Sequence, residues 1–275
     1  MSSLVSMEQI RTVVERQLEA DHCLAEGTLE ENRSAQLLTA PRLPLEKMAP
    51  ARRRFKDHFE LRLSNYRGTT LICAQYRRVL EKITAALEGD AGNWIGDYSK
   101  LRHINDFLTP TPLQNSGTTL YFTPSWKLME FPTILPTPEN YEIYELTAEQ
   151  WETFRGDQRF SNALGFNELR PDTAVLVALY EGETIAMAGA SEDSDLMWQI
   201  GVDVLPEHRR QGLGTILVQR LARLCLEQGA VPFYGTSPSH IQSQLLAQRA
   251  GFEPTWWEFV SSSLLKASVD SHERT

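Results

Sequence analysis

Residues 202–224 read "VDVLPEHRRQGLGTILVQRLARL": an apolar stretch meets a proline, passes two arginines and two closely spaced glycines, and turns into a helix. Pro206 has no N–H for a strand ladder, so the strand stops there. Beyond it Leu213, Ile216, Leu217, Leu221 and Leu224 recur at helical spacing and predict an amphipathic helix, with Gly229 a natural C′ residue after it. The residues between must turn sharply with their backbone N–H groups aimed one way. Lacking Cβ atoms, Gly212 and Gly214 would let a bulky anion reach the main chain. The first helical turn adds unpaired N–H donors and the positive end of the macrodipole. Arg209 and Arg210 can add charge-assisted contacts. The segment reads as an anion cradle, and phosphate is the natural guest.

Two other phosphate motifs do not fit. A P-loop needs a lysine after its glycines, and none follows Gly212 or Gly214. The dinucleotide fingerprint needs a third glycine where Leu217 stands, within parallel βαβ units that these hairpin-like strands do not offer. A bare strand-to-helix turn would leave the adjacent arginines unexplained.

The chain of 275 residues is long enough for two cores, and 41% hydrophobic with 23% charged residues is ordinary for a globular protein. The longest apolar run, near Ala174 to Tyr180, is far below the ~20 residues that cross a bilayer. Glu8, Arg11, Glu15 and Arg16 stand where a signal peptide would be apolar, so the chain reads as cytoplasmic, with no membrane partner. Cys23, Cys73 and Cys225 are far apart and odd in number, which predicts reduced thiols rather than disulfides or zinc; the histidines lack ligand spacing, and no metal is expected. The net charge of −9 arises after residue 140, where 10 basic side chains meet 19 acidic ones. That field disfavours nucleic acid and tolerates cationic small molecules.

"PTILPTPEN" at 132–140 resists helix and central strand and marks a boundary, giving an N-terminal unit over 1–135 and a second over 136–275. The first opens on a capping box, Ser6 with Gln9, before Ile10, Val13, Val14 and Leu18 on one helical face. Phe59, Leu61 and Leu63, then "NYRG" and "TTLICA", predict a hairpin; Tyr76 to Leu87 predicts a helix. This is a small α+β unit. Arg52, Arg53, Arg54 and Lys56 read as a solvated basic face. The second unit reads strand 141–146, helical segments to about 165, strands 173–180 and 184–191 joined by "EGE", strand 196–204, the long helix, "AVPFYG", a helix capped by Ser239 and Gln242, and "TWWEFV". Its order is βαβββαβαβ.

The spacing R-x-x-G-x-G, Arg209 with Gly212 and Gly214 after "VDVLP", resembles the acyl-CoA pyrophosphate loop of the GCN5-related N-acetyltransferases (GNAT). The resemblance covers about 141–260, including "SPSHIQSQLLAQRAGF". The whole chain is similar, more loosely, to a bacterial subgroup with an extra N-terminal domain, such as the zwittermicin-resistance acetyltransferases. The resemblance implies an α/β fold of α+β type: a mixed, mostly antiparallel sheet flanked by helices, preceded by a smaller α+β domain that serves as lid, acceptor wall or dimer surface.

It also implies that the amides of Gln211, Gly212, Leu213, Gly214 and Thr215 bind the pyrophosphate of acetyl-CoA, the cosubstrate. Arg209 and Arg210 flank that loop. Main chain at Val202, Asp203 and Val204 would pair with pantetheine, in a sheet splayed between strands 196–204 and 231–235. The reaction implied is acetyl transfer to a primary amine, of a small molecule ahead of a protein, by direct attack in a ternary complex. Relatives often carry a carboxylate on the fourth strand, where this chain has Trp198 and Gln199. Glu192, Asp193 and Asp195 precede that strand as a solvated acidic loop, with Glu192 the candidate for taking the amine's proton at a distance. Relatives often protonate the leaving thiolate with a tyrosine where this chain has Ala247. Tyr234 and His240 are the candidate donors, with His240 also near the cofactor, though a thiolate of pKa about 8.5 can leave without an acid. Trp198, Trp256 and Trp257 read as core. Cys225, inside the helix behind the loop, gives a covalent cysteine mechanism little support. The alternative is a non-catalytic acyl-CoA-binding or sensing module.

Overall fold

The computed structural model describes residues 4, 6–44, 47–48, 50–53, 59–89, 91–108, 113–130 and 135–263. In chain order the elements are α1 (Met7–Asp21), α2 (Thr28–Glu31), β1 (Leu37–Pro41), β2 (Leu61–Tyr66), β3 (Thr69–Ala74), α3 (Arg77–Leu87), α4 (Tyr98–Leu108), β4 (Leu113–Pro124), α5 (Trp126–Glu130), β5 (Tyr141–Glu145), α6 (Ala148–Glu152), β6 (Asp172–Tyr180), β7 (Glu183–Glu192), β8 (Met197–Val204), α7 (Leu213–Glu227), β9 (Val231–Thr236), α8 (Ile241–Arg249) and β10 (Phe252–Ser263). From β5 onward this is the expected βαβββαβαβ.

The chain divides into two compact units: residues 1–14 with 122–254, and 15–121 with 255–275. The single cut expected at 135/136 differs from this division because β10 pairs with β2, a strand almost 200 residues earlier, and long-range pairing leaves no mark on local composition.

In the 15–121/255–275 unit the strand order is β1-β3-β2-β10-β4. The β2–β3 turn uses Arg67 and Gly68 at φ 50° and 88°, the backbone of a two-residue hairpin. Every residue of β2 but Asn65 is buried, Arg62 and Ser64 included, so the alternation read there does not mark a solvent face. The basic run 52–56 differs in the same way: Arg52 is fully buried, where its guanidinium bridges Asp21 and Glu258 and lies 5.0 Å from the Tyr121 ring. Arg54 and Lys56 lie outside the described residues. Trp256 is core, stacked on Tyr121 at 4.6 Å.

In the 1–14/122–254 unit the order is β9-β8-β7-β6-β5, antiparallel except for β8 with β9. The Ser6–Gln9 capping box forms, with Gln9 N–H donating to Ser6 Oγ at 3.2 Å and Ser6 N–H to Gln9 Oε1 at 3.0 Å. α7 covers one face of β6, β7 and β8. The other face carries a core of Leu146, Phe160, Leu164, Val175, Val177 and Met187 under α6 and residues 158–166. α8 starts at Ile241 with His240 as N-cap; Ser239 does not cap it, its hydroxyl pairing with Ser237 Oγ at 2.9 Å. No helix among the described residues is long and apolar enough to cross a membrane.

Candidate active site

β8 and β9 run parallel but pair over three rungs: Met197 with Val231, Trp198 with Pro232, Gln199 with Phe233. β8 continues to Val204 and β9 to Thr236, so the strands form a fork beyond Gln199 and Phe233. β7 still pairs with β8 along this length, from Ile200–Ala190 to Val204–Ala186. The edge of Ile200–Val204 that faces β9 is therefore free of ladder partners among the described residues. Extended backbone there offers N–H and C=O groups to an amide-bearing ligand arm.

At the end of β8, a 3-10 turn at Pro206–His208 leads into Arg209, Arg210, Gln211 and Gly212, all exposed. Arg209 Nε donates to the Val204 carbonyl at 3.0 Å and ties the loop to the strand end. Arg210 and Gly212 sit at φ 65° and 82°. Gly212 is the N-cap of α7 and makes no side-chain cap, which leaves the first-turn N–H groups without a side-chain cap among the described residues, at the positive end of a 15-residue helix.

The two glycines of the loop do different work. A Cβ on Gly212 would meet nothing within 4 Å, so its absence serves the left-handed backbone and an unobstructed mouth. A Cβ on Gly214 would lie 2.9 Å from Leu246 Cδ1 and 3.4 Å from Val204 Cγ2. Gly214 is buried and lets α7 pack against β8 and α8; the reading that both glycines clear the way for an anion is corrected at this position. Leu213 is buried, and Thr215 is partly buried on the first turn.

Asp203 and its neighbours divide between the faces. Val202 and Val204 point toward α7, as their contacts with Gly214 show. The Asp203 carboxylate points the other way and accepts from Asn162 N–H at 2.9 Å, Asn162 Nδ2 at 2.6 Å and Ala163 N–H at 3.0 Å. That segment passes directly over two strand glycines, because a Cβ on Gly201 would lie 1.7 Å from the Asn162 carbonyl oxygen and one on Gly189 1.9 Å from that of Ala163. Beside this crossing lies a recess of about 180 Å³ lined by Asn162, Arg170, Asp172, Ser191 and Gln199. Asp172, Ser191 and Gln199 are successive cross-strand partners on β6, β7 and β8, and Phe233 on β9 is next, so a polar row runs from the recess to the last rung before the fork. Asp172 accepts from Gly165 and Phe166 N–H at 3.2 and 2.8 Å, and burial raises its pKa above the usual carboxylate value. Reading the sequence missed Asp172, Ser191 and Arg170; their one signal was position at strand ends.

The candidate catalytic residues lie apart. Tyr234, on β9 one residue past the last rung, is 7% exposed and shares a 2.9 Å hydrogen bond with Ser243 Oγ of α8. Burial raises its pKa, the Ser243 bond opposing. His240 is exposed at the start of α8. Glu192 ends β7 opposite Trp198 and is two strands from Tyr234, roughly 10 Å across the sheet. The acidic stretch is not uniformly solvated: Asp193 is buried, accepts from Ser191 Oγ at 3.1 Å and faces Arg170 at 3.9 Å, while Asp195 is exposed. Cys225 is buried in α7, where desolvation pushes its thiol to about 12, a poor nucleophile. A larger hollow of about 470 Å³ among Lys127, Leu128, Gln219 and Gln248 shares no lining residue with the fork or the loop. Among the described residues, no group of His, Cys, Asp and Glu could hold a metal ion.

The geometry fits a coenzyme thioester: an uncapped helix mouth for a diphosphate, an open strand edge for an amide-bearing arm, and a fork ending beside a buried phenol. Residues 140–252 match the acetyltransferase (GNAT) family. Among solved structures, the chain is similar to a GCN5-related N-acetyltransferase-like protein from Streptococcus suis, 18% identical over 74% of this chain and 82% of that one, TM-score 0.47. It is similar to a GCN5-related N-acetyltransferase from Kribbella flavida, 18% identical over 67% and 72%, TM-score 0.42. A third is the aminoglycoside N-acetyltransferase AAC(6')-Iy in complex with CoA, 25% identical over 44% and 93%, TM-score 0.34. No match is found among curated proteins. The segment from β5 to the start of β10 is a domain of the acetyltransferase (GNAT) family, the family that the Arg209–Gly214 spacing resembles.

Proposed function

We propose that this domain transfers an acetyl group from acetyl-CoA to the amine of a small polar acceptor by direct attack within a ternary complex. The observation that carries the reading is the fork beyond Gln199 and Phe233, which opens between the uncapped start of α7 and the hydroxyl of Tyr234. The amides of Gln211, Gly212, Leu213, Gly214 and Thr215 hold the diphosphate, with Arg209 and Arg210 beside them and His240 adding a donor from the start of α8. The open edge at Val202, Asp203 and Val204 takes the pantetheine amides. The bound thioester supplies an activated acyl carbonyl. Preorganised N–H groups on that edge stabilise the charge that develops on its oxygen.

The recess and the polar row support a small acceptor. Asp172, its pKa raised by burial, faces the acceptor's ammonium, and Ser191 and Gln199 orient the amine toward the fork. Glu192 takes the proton through water. Tyr234 gives its proton to the departing sulfur. With that coenzyme as donor, the reading is of a cytoplasmic enzyme.

The test is release of thiol from acetyl-CoA with a panel of small polar amines, alongside calorimetric CoA binding. Release that rises with one class of amine, with no burst of thiol before acceptor is added, is the expected result. CoA binding without amine-dependent release would instead favour a sensing module. That second reading is motivated by Trp198 and Gln199, which stand where a carboxylate on β8 would serve as base.

A further inference from the structure

Arg170 and Asp172 bring opposite charges to the recess beside the 162–163 crossing without closing on each other. Among the described residues no ion pair joins them, and the Arg170 guanidinium makes no hydrogen bond. Its one approach is Nη1 to Asp193 Oδ1 at 3.9 Å, beyond hydrogen-bond length. Yet this side chain is only 25% exposed, and the backbone around it is pinned: Arg170 N–H donates to the Asn167 carbonyl at 3.0 Å, and Glu192 N–H to the Pro171 carbonyl at 2.9 Å. The Asp172 carboxylate is fixed as well, by the Gly165 and Phe166 N–H groups. Holding two partly desolvated opposite charges apart costs free energy that a guest with the complementary pair offsets.

The rest of the polar row is neutral. Ser191 Oγ donates its proton to Asp193 Oδ1 at 3.1 Å, which leaves its lone pairs to accept, and the Gln199 side-chain amide has no hydrogen-bond partner among the described residues. Two strand spacings separate Asp172 from Gln199 by roughly 10 Å, and Gln199 stands on the last rung before the fork. Among the residues described as lining the recess the one apolar side chain is Ala163, which gives an aromatic or greasy acceptor nothing to pack on.

Resting on the acetyl-transfer reading of the fork, we propose that the acceptor is a short α,ω-diamino acid, its carboxylate on Arg170, its α-ammonium on Asp172 and its terminal amine beside Gln199, where it is acetylated. A hydrogen bond of about 3 Å at each end of the row leaves a gap that a chain of about three to five carbons between the two nitrogens spans. The recess of about 180 Å³ falls below the ~300–1,000 Å³ of drug-sized pockets and suits a molecule of that length. The neutral terminal amine adds to the acetyl carbon; the C–N bond forms, the C–S bond breaks, and one N–H proton ends on the sulfur, giving the acetamide and the CoA thiol. The α-amine stays an ammonium on Asp172 and does not react.

The full chain is assayed for thiol release from acetyl-CoA with L-ornithine and L-lysine, with putrescine and cadaverine, which lack the carboxylate, and with δ-aminovalerate and ε-aminocaproate, which lack the α-amine. Tandem mass spectrometry locates the acetyl group. The expected result is a kcat/KM for one diamino acid at least about 10-fold above that of either of its analogues, with the acetyl group on the terminal nitrogen. Arg170→Gln should raise the KM of that diamino acid at least about 10-fold with kcat little changed, and so erase its preference over the diamine. Asp172→Asn should erase the preference over the aminocarboxylate. Should either variant not fold, the substrate panel on the natural chain decides. Equal kcat/KM for a diamino acid and its analogues, acetylation of the α-nitrogen, or release only with amines outside these three classes overturns the proposal and leaves acetyl transfer standing. CoA binding without release from any amine removes both.

Discussion

The Tyr234 hydroxyl and Ser243 Oγ lie 2.9 Å apart, one residue beyond the last rung that joins β8 to β9. That bond aims a buried phenol from β9 and holds it against α8. Burial raises the phenol's pKa above 10.0, so it stays protonated, able to donate, across the range in which an amine acceptor becomes neutral. Tyr234→Phe should lower kcat for acetyl transfer by roughly 10²-fold while the KM for acetyl-CoA changes little. Ser243→Ala, which frees the phenol to rotate, should cost less. A Tyr234→Phe enzyme with full kcat would remove Tyr234 from the mechanism.

The crossing of residues 162–163 over Gly201 and Gly189 leads to a second expectation. Added Cβ atoms would stand 1.7 and 1.9 Å from carbonyl oxygens, backbone atoms that cannot swing aside. Gly201→Ala and Gly189→Ala should each destabilise the fold by about 1–3 kcal/mol, as overpacking does. They should also raise the acceptor's KM more than that of acetyl-CoA, because the displaced segment lines the recess. Urea unfolding and steady-state kinetics read the two effects separately. An alanine tolerated at either site without loss of stability would mean that the segment does not lie on the sheet.

Loop 209–215 shows how much a sequence can and cannot disclose. Strand stop, turn and helix were all legible there, as was the order of elements from β5 onward, because proline, positive-φ turn residues and apolar periodicity act locally. The chemical reason for Gly214 was not, since Leu246 reaches it from a helix some 30 residues away. Gly189 and Gly201 looked like ordinary strand residues for the same reason: Asn162 and Ala163, whose backbone requires them, are remote in sequence. Arg52 looked solvated because its run of charges carries no trace of Asp21 and Glu258. The polar row of the recess depends on strand register, which fixes Asp172 beside Ser191 and Ser191 beside Gln199 and cannot be read along one strand.

The distinct roles of the loop glycines can be measured. Gly212→Ala meets no neighbour, and its cost is the left-handed backbone, about 1–2 kcal/mol. It should weaken CoA binding by at least about tenfold, since the amides that converge on the diphosphate shift with the backbone. Gly214→Ala meets Leu246 at 2.9 Å, and its loss of stability should be relieved in part by Leu246→Ala in a double-mutant cycle. Calorimetry with CoA and urea unfolding provide both readings. Unchanged CoA affinity in a folded Gly212→Ala would dissociate the loop from the coenzyme.

His22 sets the behaviour of the other unit in acid. It is wholly buried, and its Nδ1 lies 2.8 Å from the Leu18 carbonyl, so Nδ1 carries the proton, and Nε2 has no hydrogen-bond partner among the described residues. Protonation would create a buried cation with an unpaired N–H, and desolvation, then the Arg62 charge, depress the pKa from 6.5 to about 4, with Glu258 and Asp21 opposing. The unfolded chain takes up this proton near pH 6.5 and the folded chain does not until about pH 4. The stabilising contribution is therefore complete above pH 6.5 and is lost as pH falls toward 4. Asp21, whose pKa is lowered from 3.8 despite its burial because Arg52 and Arg62 face it, is fully ionised across this window and adds its own loss below it. Between pH 7.5 and 5.0 the natural chain should lose roughly 2 kcal/mol more stability than His22→Gln. Urea unfolding of both proteins at the two pH values measures the difference, and an equal loss in both would place the acid sensitivity elsewhere in the unit.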